Sequence, residues 1–120
     1  MNKILIVDDS RTQRNWIKAS IGEDGYDIKE AGNGSEALTL VEDEQFDLIL
    51  CDLNMPVMSG VDLMETMKAR DISVPVIIIT ADIQDSTKKK CMDLSVKAFV
   101  NKPLKDDRLK NAVEEVLKVA

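Results

Sequence analysis

Residues 3–10 read KILIVDDS: four consecutive apolar residues, Ile4-Leu5-Ile6-Val7, run into two aspartates and a serine. An apolar run this short does not make a helix of its own. Its β-branched side chains, without polar alternation, suit a strand covered on both faces, as in a parallel sheet. Two further runs have the same character, Leu48-Ile49-Leu50-Cys51 and Val76-Ile77-Ile78-Ile79. Tyr26 to Glu30 alternates, with Tyr26 and Ile28 on one side, as an edge strand does, and Ala98-Phe99-Val100 makes a short fifth strand.

Helical patterns fill the gaps. At the C-terminus Leu109, Ala112, Val113, Val116, Leu117 and Ala120 recur at three- and four-residue intervals, a stripe that must face the sheet. A first helix is predicted from about Arg11 to Ile21, burying Ile17 and Ile21. Asn33 followed by Glu36 forms a capping box for a second helix that turns Ala37, Leu38 and Val41 inward, and Gly60 precedes a third with Val61, Met64 and Met67. Ile83 to Met92 is the weakest helix, with so little apolar surface that it is expected to be marginal and mobile. The order βαβαβαβαβα, with right-handed crossovers, gives an open α/β doubly wound sheet with helices on both faces. Ligands of such sheets bind beyond the carboxyl ends of the strands.

A chain of 120 residues, 44% of them hydrophobic, is expected to form one core. Its net charge of −6 argues against a general nucleic-acid binder, and the short basic cluster Lys88-Lys89-Lys90 does not overturn this. Cys51 and Cys91, with no CxxC spacing and no histidine in the chain, suggest neither a zinc site nor a disulfide framework. Both read as small buried hydrophobes in a protein of the reducing cytoplasm. The N-terminal apolar run is far shorter than the ~20 residues needed to cross a bilayer, so neither a signal segment nor a membrane partner is expected.

Five polar residues fall where the apolar runs end. Asp8 and Asp9 leave the first strand, Asp52 the third and Thr80 the fourth, while Lys102 follows the fifth, all on one edge of the sheet. Singly, an aspartate there is equally well read as solvating a loop or capping the next helix. Three together repel one another, and a hard divalent cation with oxygen ligands is the economical way to keep them ionised. Mg²⁺ suits the role, because it accepts a few carboxylates and leaves positions for phosphate oxygens.

Asp8-Asp9 after ILIV, Asp52 after DLILC with Asn-Met-Pro at 54–56 and Gly60 beyond, Thr80-Ala81 after VIII, and Lys102-Pro103 after AFVN together resemble the receiver domain of two-component response regulators. The resemblance spans Lys3 to Leu117 with the motifs in order. The VDDS-x-x-x-R pattern, Val7 to Ser10 with Arg14, is most similar to the single-domain, CheY-like members. It implies one receiver domain over residues 1–120 with a flavodoxin-like (βα)5 fold and strand order 2-1-3-4-5.

By the resemblance, Asp52 is the phosphoacceptor, attacking a phosphohistidine donor as a carboxylate held in line with the phosphorus. Asp9, Asp52 and the backbone carbonyl of Asn54 match the direct metal ligands, with Asp8 acting directly or through water, and Mn²⁺ can substitute for Mg²⁺. Lys102 matches the lysine that pairs with Asp52 at rest and with a phosphoryl oxygen afterwards. Pro103 resembles the proline that follows a cis peptide and aims Lys102 across the sheet edge. Thr80 and Phe99 match a switch pair: the threonine hydroxyl moves in to a phosphoryl oxygen, and the aromatic ring rotates into the space vacated. Asn54 and Asp82 match positions that flank the phosphoryl group and influence its hydrolysis, and the small Ala81 leaves access to it. Trp16, on the first helix, is either half-buried packing or near the kinase-facing side.

The implied function is a cytoplasmic, monomeric signalling switch rather than an enzyme in its own right. A sensor histidine kinase or phosphotransfer protein loads it, and it acts on an output protein through the face of the fourth helix, fifth strand and fifth helix. An Asp-nucleophile, Mg²⁺-dependent phosphohydrolase uses similar residues, but its nucleophile follows the first strand in a D-x-D pattern, unlike Asp8-Asp9-Ser10. A degenerate receiver that only docks partners is the other alternative. A flavin or nucleotide carrier is disfavoured, because the first turn lacks a glycine-rich loop.

Overall fold

The computed structural model of the protein describes residues 1–22, 25–81, 84–94, 96–104 and 106–119. Five parallel strands, β1 (Asn2–Val7), β2 (Tyr26–Ala31), β3 (Leu48–Cys51), β4 (Val76–Thr80) and β5 (Val96–Asn101), form one sheet in the order β2-β1-β3-β4-β5. They alternate with α1 (Arg11–Ile21), α2 (Gly34–Asp43), α3 (Gly60–Ala69), α4 (Asp85–Met92) and α5 (Arg108–Val119). The α/β doubly wound, flavodoxin-like fold expected from the sequence is present.

The period-2 pleat sorts the central strands between two cores. Leu5, Val7, Ile49, Cys51 and Ile78 point to one face and pack with Ala37 and Leu38 of α2, Leu63, Met64 and Met67 of α3, and Cys91 of α4. Ile4, Ile6, Leu48, Leu50, Ile77 and Ile79 point to the other, against Ile17 and Ile21 of α1 and Leu109 and Val113 of α5. Every residue of β3 and β4 is buried, which is why these runs lack polar alternation. Ala112, Val116 and Leu117 complete the α5 stripe, while Ala120 lies outside the described residues. Among the described residues, no helix is long and apolar enough to cross a membrane.

The helix ends follow local chemistry with small departures from expectation. Ser10 caps α1, its Oγ accepting from Gln13 N–H at 3.2 Å. Asn33 caps α2 by accepting from Glu36 N–H at 2.9 Å, but the Glu36 carboxylate accepts from Gly32 N–H at 2.6 Å rather than from the cap itself. Gly60 is the first residue of α3, with Ser59 as its cap, and Leu63 joins the expected inward side chains. β5 is longer than Ala98-Phe99-Val100, because Val96 also pairs with Val76 before the register shifts. Thr80 is the last residue of β4, paired with Asn101, rather than the first beyond it. α4 begins at Asp85, and Ile83 lies outside the described residues. As expected, α4 has little buried surface: Cys91 is buried among mostly exposed neighbours.

Arg14 and Lys18 of α1 both reach Glu30 of β2, at 2.9 and 3.0 Å. Burial works against the charged form of Glu30, yet the hydrogen bonds from Lys18 and Arg14 outweigh it and hold the carboxyl below its usual range. A lowered folded-state pKa contributes stability above the unfolded value and loses it as pH falls through the folded one. Glu30→Gln is therefore expected to cost less than about 1 kcal/mol at pH 7, given solvent screening, and less still in acid as the carboxyl protonates. Urea denaturation across a pH series from 7 into acid measures the trend.

Candidate functional site

Strand register assembles the site. β1 and β3 pair Val7 with Cys51, so the residues that follow, Asp8 and Asp52, emerge side by side. Both are held by the adjoining backbone: Asp8 N–H donates to Ala31 O at 3.1 Å, and Asp52 N–H donates to Val7 O at 3.0 Å. Asp8 is 1% exposed and Asp52 8%, whereas Asp9 is open to solvent. Oxygens of Asp8, Asp9 and Asp52 all lie within 4.8 Å of one another.

Lys102, just beyond β5, closes the cluster. Its ammonium donates to Asp8 Oδ2 at 3.2 Å and to Asp52 Oδ2 at 3.4 Å. Its backbone N–H donates to Thr80 O at 2.8 Å, tying the ends of β4 and β5 together. The Lys102–Pro103 peptide is cis, as expected. The lysine is shared between two carboxylates, where only a pairing with Asp52 was expected.

The remaining expected residues take varied places. Thr80 is fully buried at the end of β4, and Ala81 beyond it is exposed. Asn54 is exposed, and its N–H donates to Asp52 Oδ1 at 3.3 Å. Phe99 is partly buried against the core that α4 covers, with the Lys88 ammonium 5.4 Å from its ring centroid. Asp82 lies outside the described residues. Cys51 and Cys91 are buried, and burial pushes both thiols up, which fits packing rather than redox chemistry. Trp16 is exposed on α1.

Two supports escaped the sequence reading. Arg14 donates to Asp8 O at 2.6 Å, so the arginine of the VDDS-x-x-x-R pattern braces the backbone of the acidic pair while binding Glu30. Gly60 is pressed against the segment that carries Asp52: a Cβ there would lie 2.6 Å from Asp52 O and 3.1 Å from Leu53 Cα. Its position after Asn-Met-Pro was the available signal. In the loop between Asn54-Met55-Pro56 and Gly60, the exposed, β-branched Val57 has φ +70°, a strained left-handed backbone.

The donor set fits a small divalent cation. Oxygens bound to Mg²⁺ at 2.0–2.1 Å stand at most ~4.2 Å apart, so the observed spread calls only for slight adjustment, which the exposed Asp9 can supply.

The response regulator receiver domain family matches residues 4–114. The chain belongs to this family. It is 34% identical over 117 residues to the sensor protein EvgS of Escherichia coli K12, a match covering 98% of this chain and 10% of EvgS. The chain thus spans about a tenth of the length of that curated relative. Among solved structures, a CheY-like response regulator receiver domain protein from Methanospirillum hungatei JF-1 superimposes with a TM-score of 0.89 at 28% identity, covering 99% of this chain and 95% of that one. The response regulator protein TrrA of Thermotoga maritima, solved in complex with Mg²⁺-BeF, gives 0.82 at 29% identity, covering 97% and 99%. Receiver domains are modules of two-component signalling.

Burial raises the Asp52 pKa above its ordinary value; Lys102 and the Asn54 N–H oppose this, and the neighbouring Asp8 charge adds to it. A carboxyl with a raised folded-state pKa costs the folded state stability once ionised, a cost absent below its unfolded pKa and complete above its folded one. Asp52→Asn is therefore expected to stabilise the receiver by on the order of 1 kcal/mol at pH 7, with the gain gone at about pH 3, as read by urea denaturation. Gly60→Ala is expected to destabilise it by about 1–3 kcal/mol, because backbone rather than a movable side chain must yield. Thermal melting checks this.

Proposed function

We propose that the chain is a phosphorylation-activated switch in which Asp52 accepts a phosphoryl group from a sensor histidine kinase or phosphotransfer protein. The observation that carries this reading is the convergence of Asp8, Asp9 and Asp52 within 4.8 Å, with Lys102 bonded to both buried carboxylates. A carboxylate oxygen of Asp52 attacks the phosphorus and the histidine nitrogen leaves. The register of β1 against β3 and the hydrogen bond from Asn54 N–H hold Asp52 in place, so little reorganisation is required. Lys102 exchanges a carboxylate for a phosphoryl oxygen as negative charge builds there.

Asp8, Asp9, Asp52 and the Asn54 carbonyl hold Mg²⁺ in this reading, with Mn²⁺ as a substitute. Bound there, the cation neutralises charge on the transferring group. TrrA, a relative solved with Mg²⁺ and a beryllofluoride, supports the choice. Thr80 and Phe99 then carry the signal. The buried Thr80 hydroxyl turns to the phosphoryl group and Phe99 moves inward, altering the surface of α4, β5 and α5 that controls an output protein. Exposed Ala81 leaves the site open, and Asn54 with Asp82 influences hydrolysis. The chain acts as one receiver domain over residues 1–120, a cytoplasmic monomer that promotes only its own phosphorylation and dephosphorylation. Neither DNA nor a membrane is its direct partner.

Incubation with acetyl phosphate and Mg²⁺ is expected to add one phosphoryl group by intact-mass spectrometry, stable in acid and labile in base. EDTA and Asp52→Asn each abolish it, and an adduct that persists in Asp52→Asn sinks the assignment. Mg²⁺ at about a hundred times its Kd stabilises the fold by about 2.7 kcal/mol in denaturant titrations, and markedly less in Asp9→Asn.

A further inference from the structure

The loop that joins β3 to α3, residues 53–59, carries Asn54 and turns sharply at Val57. Met58 N–H donates to Pro56 O at 2.8 Å across a φ of +70°, the strained form of the γ-turn. Leu53 and Met55 are buried and Met58 packs against the core, while Asn54, Pro56 and Val57 are exposed. Gly60 N–H donates to Leu53 O at 3.1 Å and closes the base of the loop. Among the described residues, one hydrogen bond reaches this loop from outside residues 52–63: Gly34 N–H, at the start of α2, donates to Met58 O at 3.2 Å.

Gly34 is buried, and its backbone conformation does not call for glycine: its φ lies outside the left-handed region, and alanine is the better helix former. What it supplies is space. A Cβ at this position would lie 2.6 Å from Met58 O, 2.7 Å from Met58 Cγ and 2.8 Å from Met58 Cβ. The nearest of these is a backbone atom and the Cβ is fixed to the backbone, so the loop itself would have to draw back. Gly32, two residues earlier, is under no such pressure, because a Cβ there would come no closer than 3.4 Å, to the end of the Glu36 side chain. The segment that carries these glycines also steadies the other half of the acidic cluster. Ala31 O accepts from Asp8 N–H, and Glu30 holds the Arg14 guanidinium that donates to Asp8 O.

We propose that Gly34 is a positioning residue for the cation site: by letting the start of α2 close onto Met58, it sets the loop that holds the Asn54 carbonyl relative to Asp52. This rests on the reading of Asp8, Asp9, Asp52 and the Asn54 carbonyl as the ligands of the cation. Gly34 acts through Met58, not by contact with the ion. Mg²⁺ demands near-ideal octahedral geometry, whereas Ca²⁺ accepts a looser and more variable shell of oxygens. A small displacement of the loop therefore costs Mg²⁺ more than Ca²⁺. A glycine that served packing alone would affect stability and leave the choice between the two ions untouched.

The test measures ion binding without phosphoryl transfer. Mn²⁺ is titrated into the whole chain and followed by the EPR signal of the free ion, and Mg²⁺ and Ca²⁺ are then measured by competition. Gly34→Ala is expected to bind Mg²⁺ about tenfold more weakly, and Ca²⁺ less than about twofold more weakly. Gly32→Ala is expected to keep both affinities. So is Val41→Ala, which removes apolar contact from the buried face of α2 and lowers the melting temperature. Should Gly34→Ala not fold, Gly34→Ala combined with Val57→Gly, which frees the turn to draw back, is compared with Val57→Gly alone, with the same expected change. Unchanged Mg²⁺ binding in the Gly34 variant, an equal loss for both ions, or the same Mg²⁺ loss in Gly32→Ala or Val41→Ala overturns the role of Gly34. Absence of Mn²⁺ and Mg²⁺ binding in the unsubstituted chain overturns instead the reading of the site on which that role rests.

Discussion

Everything in this receiver turns on keeping three carboxylates together at the carboxyl edge of a parallel sheet. Asp8 and Asp52 are almost fully enclosed and side by side, an arrangement that burial and mutual repulsion both oppose. Lys102 makes it tolerable by donating to both. One ammonium does not match three carboxylates gathered within 4.8 Å, which is why the donor set suits a small divalent cation.

The scaffold around the cluster is built to stop it relaxing. Parallel pairing of β1 with β3 fixes the separation of Asp8 and Asp52 through Val7 and Cys51, residues wholly inside the core. Gly60 brings the start of α3 against the backbone of Asp52 and Leu53, and the Arg14 guanidinium braces the carbonyl of Asp8. Each support lies on a different element, so repulsion among the carboxylates is resisted by the packing of the whole domain. The side of the sheet covered by α4 is built differently. α4 contributes little buried surface and is fastened by Cys91, by the Lys90–Glu65 pair and by Lys88 over Phe99. A rigid site beside a lightly held helix is the mechanical contrast that a switch requires.

Much of this was legible in the chain itself. The runs ending at Val7, Cys51 and Ile79 marked three central strands, because side chains buried on both faces leave no polar alternation. The stripes of α1, α2 and α5 marked the faces turned to the sheet. Asp8, Asp9, Asp52 and Lys102 could be placed on one edge because parallel strands all end on the same side. The extent of β5 was less legible, since exposed Lys97 interrupts its apolar pattern at a bulge, and the start of α3 was displaced by a residue because Ser59 rather than Gly60 supplies the cap.

Periodicity and the points where apolar runs stop already specify the order of elements, the two-sided core and the chemical inventory of the site. Folding alone reveals that Lys102 divides itself between Asp8 and Asp52, that Gly60 is required for a close approach of backbone to backbone, and that Arg14 braces the carbonyl of Asp8. These relations join side chains distant in the chain. Their physical cause is the direction in which each side chain leaves the packed fold, which no local pattern records.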